Sequence, residues 1–299
     1  MKLAARALVA VTVAAISGCG ANGQLPTMIS YEELAAGRAE PADHRVAYGA
    51  DPLQFGELRL PAGSGTAPVV VLIHGGCWLG EYDISHTGQA AEALAGAGFA
   101  VWAIEYRRLG NPGGGWPGTF QDVARGVDHV RALAGQFPRL DTARVVLAGH
   151  SAGGQLALWA ASRRAGEEPG GGMPLRVAGV VSLAGITDLR AYGAGSGDCN
   201  SSVAPLLGGS PAEVPERYAA VSPVERVPLG VPARFVHGAA DAIVPVAQSR
   251  ALADRMRAAG ESAELTVVDG AGHFDVIAPR SRAWPAVVDA ARALAVPRP

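Results

Sequence analysis

A hydroxyl becomes a useful nucleophile when a histidine can take its proton and a carboxylate can orient that histidine. This chain offers all three residue types at turns that follow apolar runs. Gly149-His150-Ser151-Ala152-Gly153 fits G-x-S-x-G, the spacing at which a strand turns sharply into a helix and lifts a serine hydroxyl above a sheet edge. Small neighbours let the backbones pass closely there. Asp241 lies in His237-Gly238-Ala239-Ala240-Asp241, and His273 lies in Asp269-Gly270-Ala271-Gly272-His273-Phe274. Serine, then acid, then histidine is the chain order that such a site requires. Asp269 and Asp275 compete with Asp241, but neighbours in one loop rarely meet across a ring nitrogen, so Asp241 ranks first. A developing oxyanion also needs N–H donors. His74-Gly75-Gly76-Cys77-Trp78 supplies a glycine loop that can approach a substrate oxygen closely. The expected hole is made of Gly75, Gly76 and Ala152, with the Cys77 N–H as a substitute. Cys77 and Trp78 are candidate substrate contacts, although for Trp78 packing beneath the loop is the preferred role. His74 precedes the serine and reads as structural.

These residues need a frame to hold them. Residues 69–73 form a continuous apolar run, as in a strand covered on both faces. Residues 99–105, 144–148, 177–183, 233–237 and 265–268 read as further strands, and 44–48 and 55–60 as two strands joined by a turn. Helical spacing covers 90–97, 120–137, 154–161, 246–259 and 284–294, and 211–220 reads as a further helix. Strands alternate with helices from residue 69 onward, which implies an α/β fold: a mostly parallel central sheet with helices on both faces. Every chemical candidate then falls at a strand's carboxyl end, where open α/β sheets bind ligands. Residues 188–231 lack clean periodicity and are rich in Gly, Ser and Pro, so they are the candidate lid and substrate cover.

Bulk properties suit a globular enzyme: 299 residues, 49% hydrophobic and 17% charged. The net charge of -2 gives no basic field for nucleic acid. Lys2 is the only lysine and the arginines are scattered. Lys2 and Arg6 precede an apolar stretch at 8–16, too short to span a bilayer. Ile16-Ser17-Gly18-Cys19 resembles a bacterial lipobox, so residues 1–18 are expected to be a lipoprotein-type signal and Cys19 the lipidated residue. Residues 19–42 would be a tether and lead-in, and 43–299 the folded domain. This implies an exported protein in the cell envelope, meeting the membrane only through that anchor; a soluble secreted or periplasmic form is the alternative. In an oxidising space Cys77 and Cys199 could pair; two buried free thiols are the other reading.

The residues above resemble the α/β-hydrolase superfamily, in the branch of hormone-sensitive-lipase-like esterases and kynurenine-formamidase-like proteins. His74-Gly75-Gly76-Cys77-Trp78 is similar to the HGGxW loop of the formamidase-like group. Glu105-Tyr106-Arg107-Arg108, Trp116-Pro117 and Asp122 resemble the stretch that follows it there. The resemblance runs from about residue 68 to the C-terminus. It implies the triad Ser151, Asp241 and His273, with no metal or organic cofactor. The expected activity is hydrolysis of carboxylic esters with small to medium acyl groups, through an acyl-enzyme. An amidase, formamidase or small-peptide hydrolase is the alternative within the fold. A non-catalytic, lipid-anchored binding module is the alternative outside enzymes.

Overall fold

The structure is a computed structural model that describes residues 28–296. The expected signal at 1–18, Cys19 and the first part of the lead-in lie outside the described residues. The eight strands are β1 (His44–Ala47), β2 (Phe55–Arg59), β3 (Ala67–Ile73), β4 (Ala100–Ile104), β5 (Leu140–His150), β6 (Gly179–Leu183), β7 (Ala233–Gly238) and β8 (Ala263–Val268). They form one sheet in the order β1-β2-β4-β3-β5-β6-β7-β8. The β1–β2 and β2–β4 pairs are antiparallel and every other pair is parallel. After β3 the chain crosses to β4 on one side; after β5 it crosses to β6 on the other. The crevice at a ligand-binding switch point therefore opens between the carboxyl ends of β3 and β5.

The continuous apolar runs follow from burial on both faces. Val69, Val71 and Ile73 join Trp102, Val145 and Leu147 in one core. Val70 and Leu72 join Val101, Val146 and Ala148 in the other. Alternate side chains of one strand thus feed opposite layers. Only the edge strand β8 alternates between half-buried and exposed along most of its length.

Two expectations are corrected. The single helix expected at 120–137 is two, Gly118–Asp128 and Val130–Gln136. The Gly126 carbonyl, whose helical partner would be the Val130 N–H, accepts the indole N–H of Trp102 at 2.9 Å. The second correction concerns the cover at 188–231. Its first half carries the helices Leu189–Gly193 and Asp198–Ser201 and borders the cleft described below. From Leu206 onward it is body rather than lid, because Leu206, Leu207, Tyr218 and Val221 are buried in the main core.

Candidate active site

β5 runs directly into the helix Ala152–Ala161, and Ser151 is the hinge. Its backbone sits at φ 55°, ψ -120°, a region that costs a non-glycine residue about 1–3 kcal/mol and persists only where its surroundings enforce it. The enforcement is visible. The Ser151 N–H donates to the Leu183 carbonyl at 2.9 Å, and the Ser151 carbonyl accepts from Gly154 N at 2.9 Å and Ile186 N at 3.3 Å. Close approach explains the glycine at 153: a Cβ there would collide with the carbonyl oxygens of Ile73 and His74 at the end of β3. Ser151 is left bordering an open cleft.

His273 comes to the same cleft on the loop after β8, and Asp241, on the loop after β7, is buried against it. The His273 Nδ1 lies 2.7 Å from Asp241 Oδ2. An ionised carboxylate only accepts, so Nδ1 carries the proton and Nε2 remains available as a base. Asp241 Oδ1 accepts from the N–H groups of Ile243 at 2.9 Å and Val244 at 2.8 Å. A second histidine also reaches it: His237 Nε2 stands 3.2 Å from Oδ2 and 2.8 Å from the Val244 carbonyl. Both are acceptors, so His237 is protonated at Nε2, and its Nδ1 accepts from Ser249 Oγ at 2.8 Å. Burial raises the Asp241 pKa, but the hydrogen bonds from His237 and His273 outweigh it and hold the carboxyl far below the usual range.

The rival carboxylates point elsewhere. Asp269 is exposed, next to the end of β8. Asp275 is buried, and its Oδ2 accepts from Gly272 N at 2.9 Å and Ile29 N at 3.2 Å. His150, inside the serine motif, donates from Nε2 to the His273 carbonyl at 3.0 Å and packs its ring 4.6 Å from that of His273. The nucleophile turn thereby touches the histidine loop directly.

The loop after β3 folds over the serine. A Cβ on Gly75 would stand 2.8 Å from the His150 carbonyl and 3.1 Å from Ser151 Cβ, so only a glycine backbone fits this close. Gly76, Cys77 and Trp78 all take positive φ, at 102°, 54° and 58°. Beneath them lies a charged network. His74 Nε2 is 3.0 Å from Glu105 Oε1, Arg108 pairs with the same oxygen, and Glu105 Oε2 accepts from Ile84 N at 3.1 Å. Tyr106 donates its hydroxyl to the His74 carbonyl at 2.8 Å. Burial raises the Glu105 pKa, yet His74 and Arg108 hold it below the usual carboxylate range. His74 is therefore the foundation of the glycine loop, as its place before the serine suggested.

The cleft has a volume of about 1390 Å³. Ser151, His273, Gly76 and Cys77 border it, with the first half of the cover opposite. Cys77 and Cys199 are joined as a disulfide, their Cα atoms 4.8 Å apart across 122 residues, so the glycine loop and the cover are stitched together at the rim. Of the two roles open to Trp78 the structure shows the preferred one, packing, and not substrate contact: it is fully buried and donates from Nε1 to Gln155 Oε1 at 3.2 Å. Its positive φ turns the indole under the loop. Sequence reasoning missed His237, a histidine in an apolar strand that reads as core. It also missed the lead-in: residues 28–32 form a wall of the cleft. A capping pattern, Ser30 followed by Glu33, was the available signal.

A mostly parallel sheet bearing a strained serine at one strand end and an acid–histidine pair at two others is the α/β-hydrolase fold. The chain belongs to the BD-FAE family, whose model matches residues 57–256. It is similar to Esterase LipC of Mycobacterium tuberculosis, 29% identical over 244 residues, which are 78% of this chain and 60% of LipC. The chain thus spans less than two thirds of that relative. A bifunctional GH43-CE protein of Bacteroides eggerthii superimposes with a TM-score of 0.69 and 26% identity, over 84% of this chain and 38% of that one. A truncated carbohydrate esterase from gut microbiota gives 0.72 at 24% identity, over 87% and 99%, a likeness of fold.

Proposed function

We propose that this chain hydrolyses carboxylic esters of small to medium acyl groups through Ser151, Asp241 and His273. The observation that carries the reading is the Asp241–His273 bond, which leaves Nε2 without a proton on a histidine that borders the same cleft as a strained serine. The similarity to a protein named an esterase supports the same chemistry.

In this reading Ser151 Oγ attacks the ester carbonyl while its proton passes to His273 Nε2. Asp241 holds the ring in that tautomer and stabilises the cation formed. The carbonyl oxygen becomes an oxyanion facing the N–H groups of Gly75, Gly76 and Ala152, where fixed donors are strongest against charge as it develops. The C–O bond to the alcohol then breaks, and His273 returns the proton to the departing oxygen. Water, deprotonated by the same nitrogen, attacks the acyl group on Ser151 and frees the acid.

The test is hydrolysis of p-nitrophenyl acetate, butyrate and octanoate by the protein and by Ser151→Ala. The expected result is a loss of about 10⁴-fold or more in the variant, with the acetate and butyrate esters turned over faster than the octanoate. Equal activity in both proteins would refute the assignment of the nucleophile.

A further inference from the structure

The lead-in is part of the site. Residues 28–32 all border the cleft. Ser30 starts the helix Tyr31–Ala36, its Oγ accepting from Glu33 N at 3.2 Å and its N–H donating to Glu33 Oε2 at 2.9 Å. Ile29 N and Gly272 N share one oxygen of the buried Asp275. A single carboxylate therefore ties this strap to the residue preceding His273.

The tie aims Tyr31. Its ring lies 5.3 Å from that of Tyr82, edge-on, and 5.7 Å from that of Phe274. Phe274 in turn packs edge-on against His273 at 5.1 Å. An aromatic wall thus continues outward from the histidine. Its charge is one-sided: Glu32 and Glu81 border the cleft beside it, and among the described residues no lysine or arginine does. Burial, followed by Asp83, Glu81 and Glu32, raises the pKa of the Tyr31 hydroxyl, which places this ring in a negative field.

The chemistry says which half of the substrate meets that wall. His273 returns its proton to the departing alcohol oxygen, so the surface that continues from His273 borders the alcohol; this step rests on the role given to His273 above. We propose that Tyr31 is a specificity-determining residue: with Tyr82 and Phe274 it receives the alcohol half of the ester, selecting alcohols that present a flat or ring-shaped apolar face and are uncharged or cationic.

The experiment uses the full chain and ratios of kcat/KM measured on one sample, so partial loss of folded protein cancels. Benzyl acetate over ethyl acetate reads the alcohol half; ethyl phenylacetate over ethyl acetate reads the acyl half. In Tyr31→Ala the first ratio is expected to fall about tenfold, as for loss of an aromatic contact, chiefly through KM, while Tyr31→Phe restores it. A benzyl acetate with a para-trimethylammonium group is expected to outrun one with a para-carboxylate, with Glu81→Gln narrowing the gap. An unchanged alcohol ratio in Tyr31→Ala would overturn the proposal, as would a fall in the acyl ratio instead or a preference for the carboxylate ester. Ser151→Ala separates the two levels. If it is inactive, any of those results overturns the wall alone; if it still hydrolyses benzyl acetate, the triad reading falls and the wall falls with it.

Discussion

Asp241 is bonded on every side. Two backbone N–H groups and two histidines converge on one buried carboxylate. An amide in its place would offer His273 a different pattern and leave Nδ1 and Nε2 free to exchange roles. Asp241→Asn is therefore expected to lower kcat about 10⁴-fold with KM nearly unchanged, as steady-state hydrolysis of p-nitrophenyl butyrate would show. The same change at the exposed Asp269 should leave turnover intact; a comparable loss there would mean the acid is misassigned. The placement of Ser151 and His273 on one cleft and the pairing of His273 with Asp241 could be read from sequence, because each residue follows an apolar run. His237 could not. It meets Asp241 through the turn of the loop after β7, and the same spacing in another loop would point it away.

At the scale of elements, the sheet was legible wherever burial is two-sided, because β3 and β4 carry no polar residue and β5 and β6 hold the unbroken apolar runs Val145–Ala148 and Val180–Val181. Connections were harder to read. The 188–231 segment looks irregular because its helices are short, yet half of it fills the core around Tyr218 and Val221. The strap was hidden for a different reason. Its role depends on a hydrogen bond to Asp275, 246 residues away, and no local pattern carries that information. The disulfide joins two such connections. Removing both sulfurs in a Cys77→Ser/Cys199→Ser variant should lower unfolding free energy by about 4–5 kcal/mol, the chain-entropy value for a loop of this size. Urea denaturation measures it. KM should rise as well, since the cover loses its hold on the glycine loop; an unchanged KM would mean that helix packing alone positions the cover.

The whole molecule carries a pH dependence set by two buried histidines. Burial, and then the neighbouring His74, lowers the pKa of His86 to about 3. Burial, and then His273, pushes His150 well below its ordinary value. Unfolded, each would take a proton near pH 6.5; folded, each refuses it until the solution is far more acidic. Their contribution is thus complete above pH 6.5 and is lost in acid, for His86 as pH falls from 6.5 toward 3, by about 1.4 kcal/mol per pH unit. Asp241 acts in the same sense over a more acidic range: its lowered pKa adds stability that is complete above the ordinary carboxylate value and is lost as pH falls below it. Urea midpoints between pH 7 and 4 should fall steadily, and His86→Asn should flatten the slope by one histidine's share. An unchanged slope would show that His86 titrates normally.

The bond between Cys77 and Cys199 also gives this protein a history. A chain made in a reducing interior holds both as thiols, so its oxyanion loop and cover begin life unlinked. The finished rim of the cleft therefore depends on the redox state around the chain: closed where oxidants form the bond, open where thiols persist.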